Sequence, residues 1–250
     1  MNVQALRREV ARISRRLWER GWVANHDGNV TVRLEGGRVL ATPTAVSKGD
    51  VREEDVLVLD GASGKVLSGA RRPFSELYLH LEAYRVRDDV HAVVHAHCPV
   101  LCSFAVAGLE VDPAILPEAV VSLGPRIPLA PPALPGSLPA KQQIQALARL
   151  FDVILLSSHG PVALGADLEQ AYLRLELAEH VAGIQQRATW LGGARRIPEA
   201  WLDPLLKSRR KAGLGPEARG LSPAVPALAD APVEELVAAL VRETSSSRPS

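Results

Sequence analysis

His95 and His97 stand one residue apart at the close of an apolar run, Val90-His91-Ala92-Val93-Val94-His95-Ala96-His97. In an extended strand residues i and i+2 face the same way, so two imidazoles emerge side by side where the run ends. Paired imidazoles on one face are a natural grip for a transition metal. Taken alone, His-x-His is a weak motif, and the commoner meaning is one surface residue and one hydrogen-bonded core residue. His159 follows a second wholly apolar run, Val153-Ile154-Leu155-Leu156, and precedes Gly160. That puts it at the edge of a buried sheet, where sites form. Glu76 ends the stretch Pro73-Phe74-Ser75-Glu76 at the start of a helical segment, where the helix dipole would favour a carboxylate in any case. His80, one turn on, shares its face and reads as a partner that orients a ligand rather than as a ligand itself. Cys98 directly follows the histidine pair, but its i+1 position turns it away from their face. His26, His91 and His180 have no comparable setting and read as structural or surface residues.

The elements that must deliver these groups are legible in part. Val3, Leu6, Val10, Ile13 and Leu17 recur at helical spacing over residues 3–18, with arginines between them, which predicts an amphipathic opening helix. A polar turn, Asn25-His26-Asp27-Gly28-Asn29, follows. Strand-like runs come next at Val30–Leu34, Arg38–Thr42, Val56–Asp60 and Lys65–Leu67, and the glycine-rich turns between neighbours suggest hairpins. A helix over about Phe74–Val86 leads into the Val90–His97 strand, and Pro99 opens another helix running to about Val106. Residues 111–139 are proline-rich and aperiodic, which predicts a winding loop with one short strand near Val120. A helix over Ala140–Leu150, strands at Val153–Ser157 and Val162–Leu164, and a long helix from the N-cap Asp167 to about Trp190 complete the pattern. Mixed hairpins and strand–helix alternation argue for an α/β layered domain. Beyond Gly192-Gly193 the composition turns basic and rich in Pro, Gly and Ala around one amphipathic helix, Val233–Arg242. This tail reads as an accessory arm or intersubunit segment, and its last residues as disordered.

Composition bounds the function. The chain of 250 residues has 47% hydrophobic and 23% charged residues, as expected of a soluble globular protein. With 29 basic and 28 acidic side chains the formal charge is +1, so no global field favours nucleic acid or an anionic membrane. Met1–Arg20 is too charged for a secretory signal, and no uncharged apolar run reaches the ~18 residues that span a bilayer. Two cysteines, Cys98 and Cys102, do not make a disulfide framework, which fits a reducing cytoplasm.

Taken together the motifs resemble the class II aldolase/adducin family, which includes fuculose-phosphate aldolases and ribulose-phosphate 4-epimerases. The matching segments occur in family order. They are Gly28-Asn29-Val30-Thr31-Val32-Arg33, Thr42 to Gly49, Asp55 to Asp60, Pro73 to Glu76 with His80, Val93 to His97, Leu155 to Gly160, and Gly165 to His180. The resemblance spans roughly residues 3–192. It implies a class II aldolase/adducin-like domain over 1–192, folded as a three-layer α/β/α structure around a mixed, largely antiparallel sheet, with a C-terminal helical extension over 193–250. It also implies a divalent metal, usually zinc, with Mn2+ or Co2+ as substitutes, held by His95, His97, His159 and Glu76. Three neutral imidazoles that leave a position open to substrate describe a catalytic rather than a structural site. In such enzymes the ion polarises a carbonyl and stabilises the enediolate left when a neighbouring bond breaks, with the glutamate as base or acid. Aldol cleavage, epimerisation, dehydration and decarboxylation all share that logic, and adducin-type scaffolds keep the fold without the ligands.

The expectation is therefore a zinc-dependent, aldolase-type lyase acting on a small hydroxylated carbonyl compound, with sugar phosphates among the candidates. The resemblance further implies a homotetramer with active sites at its interfaces, and a substrate cradle at Gly28, Asn29, Thr44, Ala45, Phe74 and Ser75. Two departures stand out. Ala45 and Phe74 replace residues that are glycine and serine in the family pattern, so the benzyl group is expected to crowd the cradle, and Arg71, Arg72 or Lys48 could meet a carboxylate instead. The family's proton-donating tyrosines, from the mid-chain loop and the C-terminal region, are also missing: the chain has only Tyr78, Tyr84 and Tyr172.

Overall fold

A computed structural model of the chain describes residues 2–215, 218 and 231–246. Helix α1 (Val3–Glu19) opens it, its first turn capped by the Asn2 side chain, which accepts the backbone N–H of Gln4 and Ala5. Strands β1 (Asn29–Arg33), β2 (Arg38–Ala41), β3 (Leu57–Asp60) and β4 (Val66–Ser68) follow, then α2 (Leu77–Val86), β5 (Ala92–His95) and α3 (Pro99–Ala107). Next come α4 (Pro117–Leu123), β6 (Leu129–Ala130), α5 (Leu138–Leu150), β7 (Val153–Leu156) and β8 (Pro161–Gly165). The chain ends in α6 (Leu168–Thr189), α7 (Leu202–Lys211) and α8 (Val233–Ser246). Asp167 caps α6 as expected, accepting the Gln170 N–H at 2.7 Å.

The strands form one sheet in the order β4-β3-β2-β1-β5-β8-β7-β6. Every pairing is antiparallel except β6 with β7, so the sheet is mixed and largely antiparallel. Side-chain alternation divides the core in two. Val30, Val32, Ala92, Val94 and Leu155 pack with α1, α3, α4 and α6 on one face. Val93, Ile154, Val162 and Leu164 pack with α2, α5 and the start of α8 on the other. Hydrophobic burial on both faces of a single sheet gives the three-layer α/β/α architecture. No helix among the described residues is long and apolar enough to cross a membrane.

The structure corrects the sequence reading in three places. The segment near Val120 is helix α4, not a strand. Pro117 at its first position and Glu118 in its first turn suit a helix start, and burial of Ala119, Val120 and Leu123 overrides the strand preference of the two valines. Seven residues are too few to display a helical period. The second helix begins at Leu77 rather than Phe74, which leaves Glu76 just outside it. Helix α7, in the basic C-terminal region, was not anticipated. The expected disorder of the final residues lies outside the described residues.

A buried ion cluster ties the layers together at the end of the sheet remote from the histidines. Asp152, fully buried before β7, receives Arg87 at 3.0 Å, Arg174 at 3.1 Å and Arg209 at 2.7 Å. Arg87 also forks onto Asp89 and donates to Ala148 O, and Arg174 donates to Leu164 O. Arg209, on α7, donates to the carbonyls of Val121 and Ser122, capping the end of α4. The arginines hold the Asp152 carboxyl below its ordinary range although burial alone would raise it. Removing the shared anion takes from Arg174 and Arg209 the carboxylate they bind and leaves Arg87 with Asp89. Asp152→Ala should therefore lower the unfolding free energy by about 3–5 kcal/mol in a urea titration. A loss below ~1 kcal/mol would show that the arginines are satisfied without it.

Candidate metal centre

Three separate pieces of backbone deliver the histidines. His95 ends β5, and its Nδ1 bonds to the Pro161 carbonyl at 2.8 Å. That contact makes Nδ1 the protonated nitrogen and leaves the Nε2 lone pair facing inward. His97 lies just past the strand, its N–H donating to Trp22 O at 2.9 Å. Its Nδ1 stands 3.4 Å from Asp27 Oδ2, a carboxylate that orients the ring from behind. His159 is carried by the β7–β8 turn, whose Ser158 has a positive φ of 54°. The three rings meet edge to face, with centroids 4.7 to 5.2 Å apart.

Two glycines allow this approach. A Cβ at Gly160 would lie 2.6 Å from Ala96 O and 3.3 Å from the His97 ring, so the turn can press against the His-x-His segment only with glycine. A Cβ at Gly28 would fall 2.6 Å from Val23 and 3.0 Å from His95 O, and Gly28 also has a φ of +71°.

Glu76 closes the group from the start of α2. One carboxylate oxygen lies 2.7 Å from His159 Nε2 and the other 3.6 Å from His95 Nε2. Behind it runs a hydrogen-bond chain of fixed direction. Asn29 Nδ2 donates to Glu76 Oε2 at 3.0 Å, and Asn29 Oδ1 therefore accepts from His80 Nε2 at 2.6 Å. His80 Nδ1 must then accept from Thr31 Oγ1 at 2.8 Å, leaving the Tyr84 hydroxyl to donate to Thr31 at 2.8 Å. Thus His80 acts on Glu76 through Asn29, and Asn29 is turned to the carboxylate.

Electrostatics favour ligation. Burial pushes the His95 pKa down to about 3, and it also lowers that of His97, so both rings stay neutral near pH 7. Burial works to raise the Glu76 pKa, but the hydrogen bond from His159, the imidazoles nearby and the Asn29 amide outweigh it, holding the carboxyl well below its usual range. The His95 and His97 Nε2 atoms are buried without a hydrogen-bond partner. Orphaned buried nitrogens are costly unless something else meets them. Ligand atoms of His95, His97 and His159 lie within 4.8 Å of one another, close enough to hold one metal ion. The residues present therefore fit a divalent cation, with Glu76 beside it. His26, His91 and His180 are exposed and take no part.

The other expected site residues divide. Gly28 and Asn29 lie against the histidines, whereas Thr44, Ala45, Phe74 and Ser75 occupy two loops that an isolated Pro43–Pro73 bridge holds side by side. The Phe74 ring does not crowd these loops: it is buried, edge-on to His80 with centroids 5.1 Å apart. Ala45 adopts φ +57°, a left-handed backbone that suits glycine better than alanine. Arg71 is occupied by Asp55 at 2.6 Å. Lys48 is buried, donating to His26 O at 3.0 Å and Val46 O at 3.2 Å, so it staples one loop to another instead of facing a ligand. Sequence reasoning missed Asp27, whose only signal was its place in the turn before Gly28. It also missed that Tyr78 shares a cleft with Glu76 and His159.

Comparison with known proteins decides the family. A sequence profile of the Class II Aldolase and Adducin N-terminal domain matches residues 8–186. The chain belongs to the class II aldolase/adducin family. It is 34% identical over 176 residues to an L-fuculose phosphate aldolase of Methanocaldococcus jannaschii, covering 70% of this chain and 93% of that one. It is 32% identical over 183 residues to a 3-oxo-tetronate 4-phosphate decarboxylase of Escherichia coli, covering 72% and 85%. A solved L-fuculose 1-phosphate aldolase superposes with a TM-score of 0.73 at 25% identity, covering 80% of this chain and 94% of that one. Named relatives of the chain are thus aldolases and decarboxylases.

Two outcomes follow from the site. Gly160→Ala should weaken zinc binding at least tenfold in calorimetric titration of metal-free protein, as should His97→Ala, whereas His180→Ala, on the exposed face of α6, should leave it within twofold. Equal zinc affinity in all three variants would disprove the ligand set. Lys48 gives a pH dependence. Burial pushes its pKa down to about 8, against the attraction of Asp27, from an ordinary 10.5. Between those values the unfolded chain holds the extra proton, so stability rises with pH by up to ~1.4 kcal/mol per unit from about 8 to about 10.5 and is level below about 8, where both states are protonated. The unfolding free energy of the wild type relative to Lys48→Met should increase from pH 8 to 10. A flat difference would mean an unshifted lysine.

Proposed function

We propose that this protein is a divalent-metal-dependent lyase of the aldolase type, which cleaves or forms a C–C bond in a small hydroxylated carbonyl compound. The observation that carries the reading is the convergence of three imidazoles and the Glu76 carboxylate, with two ring nitrogens left without a partner. Three nitrogen donors and one oxygen suit zinc, with Mn2+ or Co2+ as substitutes. A cation bound there would supply the Lewis acidity that polarises a substrate carbonyl.

The chain's own residues would supply the proton transfers. In the bond-forming direction, Glu76 takes the proton from the carbon beside the carbonyl. That carbon attacks an aldehyde, and the aldehyde oxygen takes a proton from Tyr78; in cleavage both protons return. Tyr78 lines the same cleft as Glu76 and His159, whereas Tyr84 is bonded to Thr31 and Tyr172 is stacked on Trp22. Burial raises the Tyr78 pKa, against a hydrogen bond from the Gly136 amide, so the phenol keeps its proton near pH 7. Gly28, Asn29, Thr44, Ala45 and Ser75 are the proposed substrate cradle, with Phe74 contributing backbone only.

We further propose a cytoplasmic homotetramer with active sites at its interfaces. Trp18, Trp190 and Leu191 are 54%, 81% and 89% exposed in the single chain and offer apolar surface to bury.

The decarboxylase among the relatives supports a second reading, release of CO2 from a 3-oxo acid through the same centre. Zinc-loaded protein should be tested for aldehyde release from ketose 1-phosphates and for CO2 release from 3-oxo acids. Glu76→Gln should lower the observed activity by about 10²–10⁴-fold, and Tyr78→Phe should lower kcat by at least ~10²-fold with KM little changed. CO2 release without aldehyde release would select the second reading, and full activity in Glu76→Gln would refute both.

A further inference from the structure

The cleft that ends at Glu76 and His159 shows what kind of substrate arm lies beyond the reacting carbon. Its volume is about 540 Å³. That falls within the ~300–1,000 Å³ typical of small-molecule pockets. Pro131, Pro132, Leu134, Ile144 and Leu156 line it, and none of its lining residues is Lys or Arg. The Ser157 hydroxyl in its lining donates to Ala130 O at 2.6 Å and is already committed. At its inner end stands the Glu76 carboxylate. A phosphate or carboxylate on an arm lying along this wall would find no lysine or arginine to pair with. An apolar chain would exchange water for proline and leucine surface. The sheet order sets the cleft, beside β6 and β7, on the opposite side of β5 from the Thr44 and Ser75 loops beyond β1 and β2.

We infer that the aldehyde half of the substrate carries an uncharged, largely apolar arm of several carbons, which lies in this cleft. The inference rests on the proposed metal site but not on the aldol reaction, and a binding probe separates the two. Straight-chain hydroxamates offer a metal-chelating head with an arm of chosen length. Calorimetry on the zinc-loaded protein should show affinity rising about three- to fourfold per methylene from acetohydroxamate upwards until the cleft is filled. A terminal carboxylate on the longest arm should abolish the gain. Leu134, 78% exposed at the rim, can be changed without disturbing the core. Leu134→Asp should reduce the gain for long arms while leaving acetohydroxamate within twofold.

Affinity independent of arm length, or tightest for the carboxylate-ended probe, would overturn the inference. Absence of any acetohydroxamate binding would overturn the metal site and this inference with it. A rising series in a protein that lacks aldolase turnover would retain the arm site and reject the reaction.

Discussion

A carboxylate placed among imidazoles and hydrogen-bonded from behind is the constraint around which this molecule is arranged. Glu76 is held from both sides, by His159 and His95 in front and by the Asn29 amide behind. Each group beyond Asn29 has one allowed role, because the amide can present its N–H side to the carboxylate only by presenting its oxygen to His80. A buried polar series satisfied at every step is worth more than its separate bonds, since a break anywhere leaves an unpaired group in a low-dielectric interior. The direction of the chain runs from the Tyr84 hydroxyl to the carboxylate. It fixes where Glu76 sits before any ligand arrives.

That placement needs rigid supports. Strand β5 brings His95, the β7–β8 turn brings His159, and helix α2 begins beside Glu76. At their far ends these elements meet again, through Arg87 after α2 and Asp152 before β7, both bound into the same cluster as Arg174 of α6. The site therefore occupies one end of a frame pinned by ions at the other. Replacing such a cluster with apolar groups is often neutral for stability, so its value here is best read as geometric.

The grouping of His95, His97, His159 and Glu76 is legible in the sequence because its signals are local. His-x-His at the end of an apolar run and His-Gly after another are visible without any knowledge of the fold, and the long periodic helices α1 and α6 were equally clear. What escaped notice depended on contacts between distant segments. Asp27 gains meaning only because its turn reaches the back of His97, and Phe74 was misjudged because nothing in its neighbours tells which way the ring points. Helix α4 was read as a strand because Val120 and Val121 prefer extended backbone, and seven residues could not contradict them. The resemblance places Asn29 in a substrate cradle, but nothing in the sequence shows that its amide also bonds Glu76 and His80. Lys48 looked like an available cation until burial and two carbonyl acceptors showed otherwise.

The position of Arg209 has a consequence for how the chain is made. Residues leave the ribosome in order, and Arg209 emerges 57 positions after the aspartate it binds. Through that interval Asp152, at the start of strand β7, has Arg87 and Arg174 but not its third guanidinium, and the last carbonyls of α4 lack their cap. Docking of α7 supplies both at once. Closure of the frame is thus deferred until translation has passed the compositional break at Gly192-Gly193, and a late helix remote from the histidines finishes the assembly that positions them.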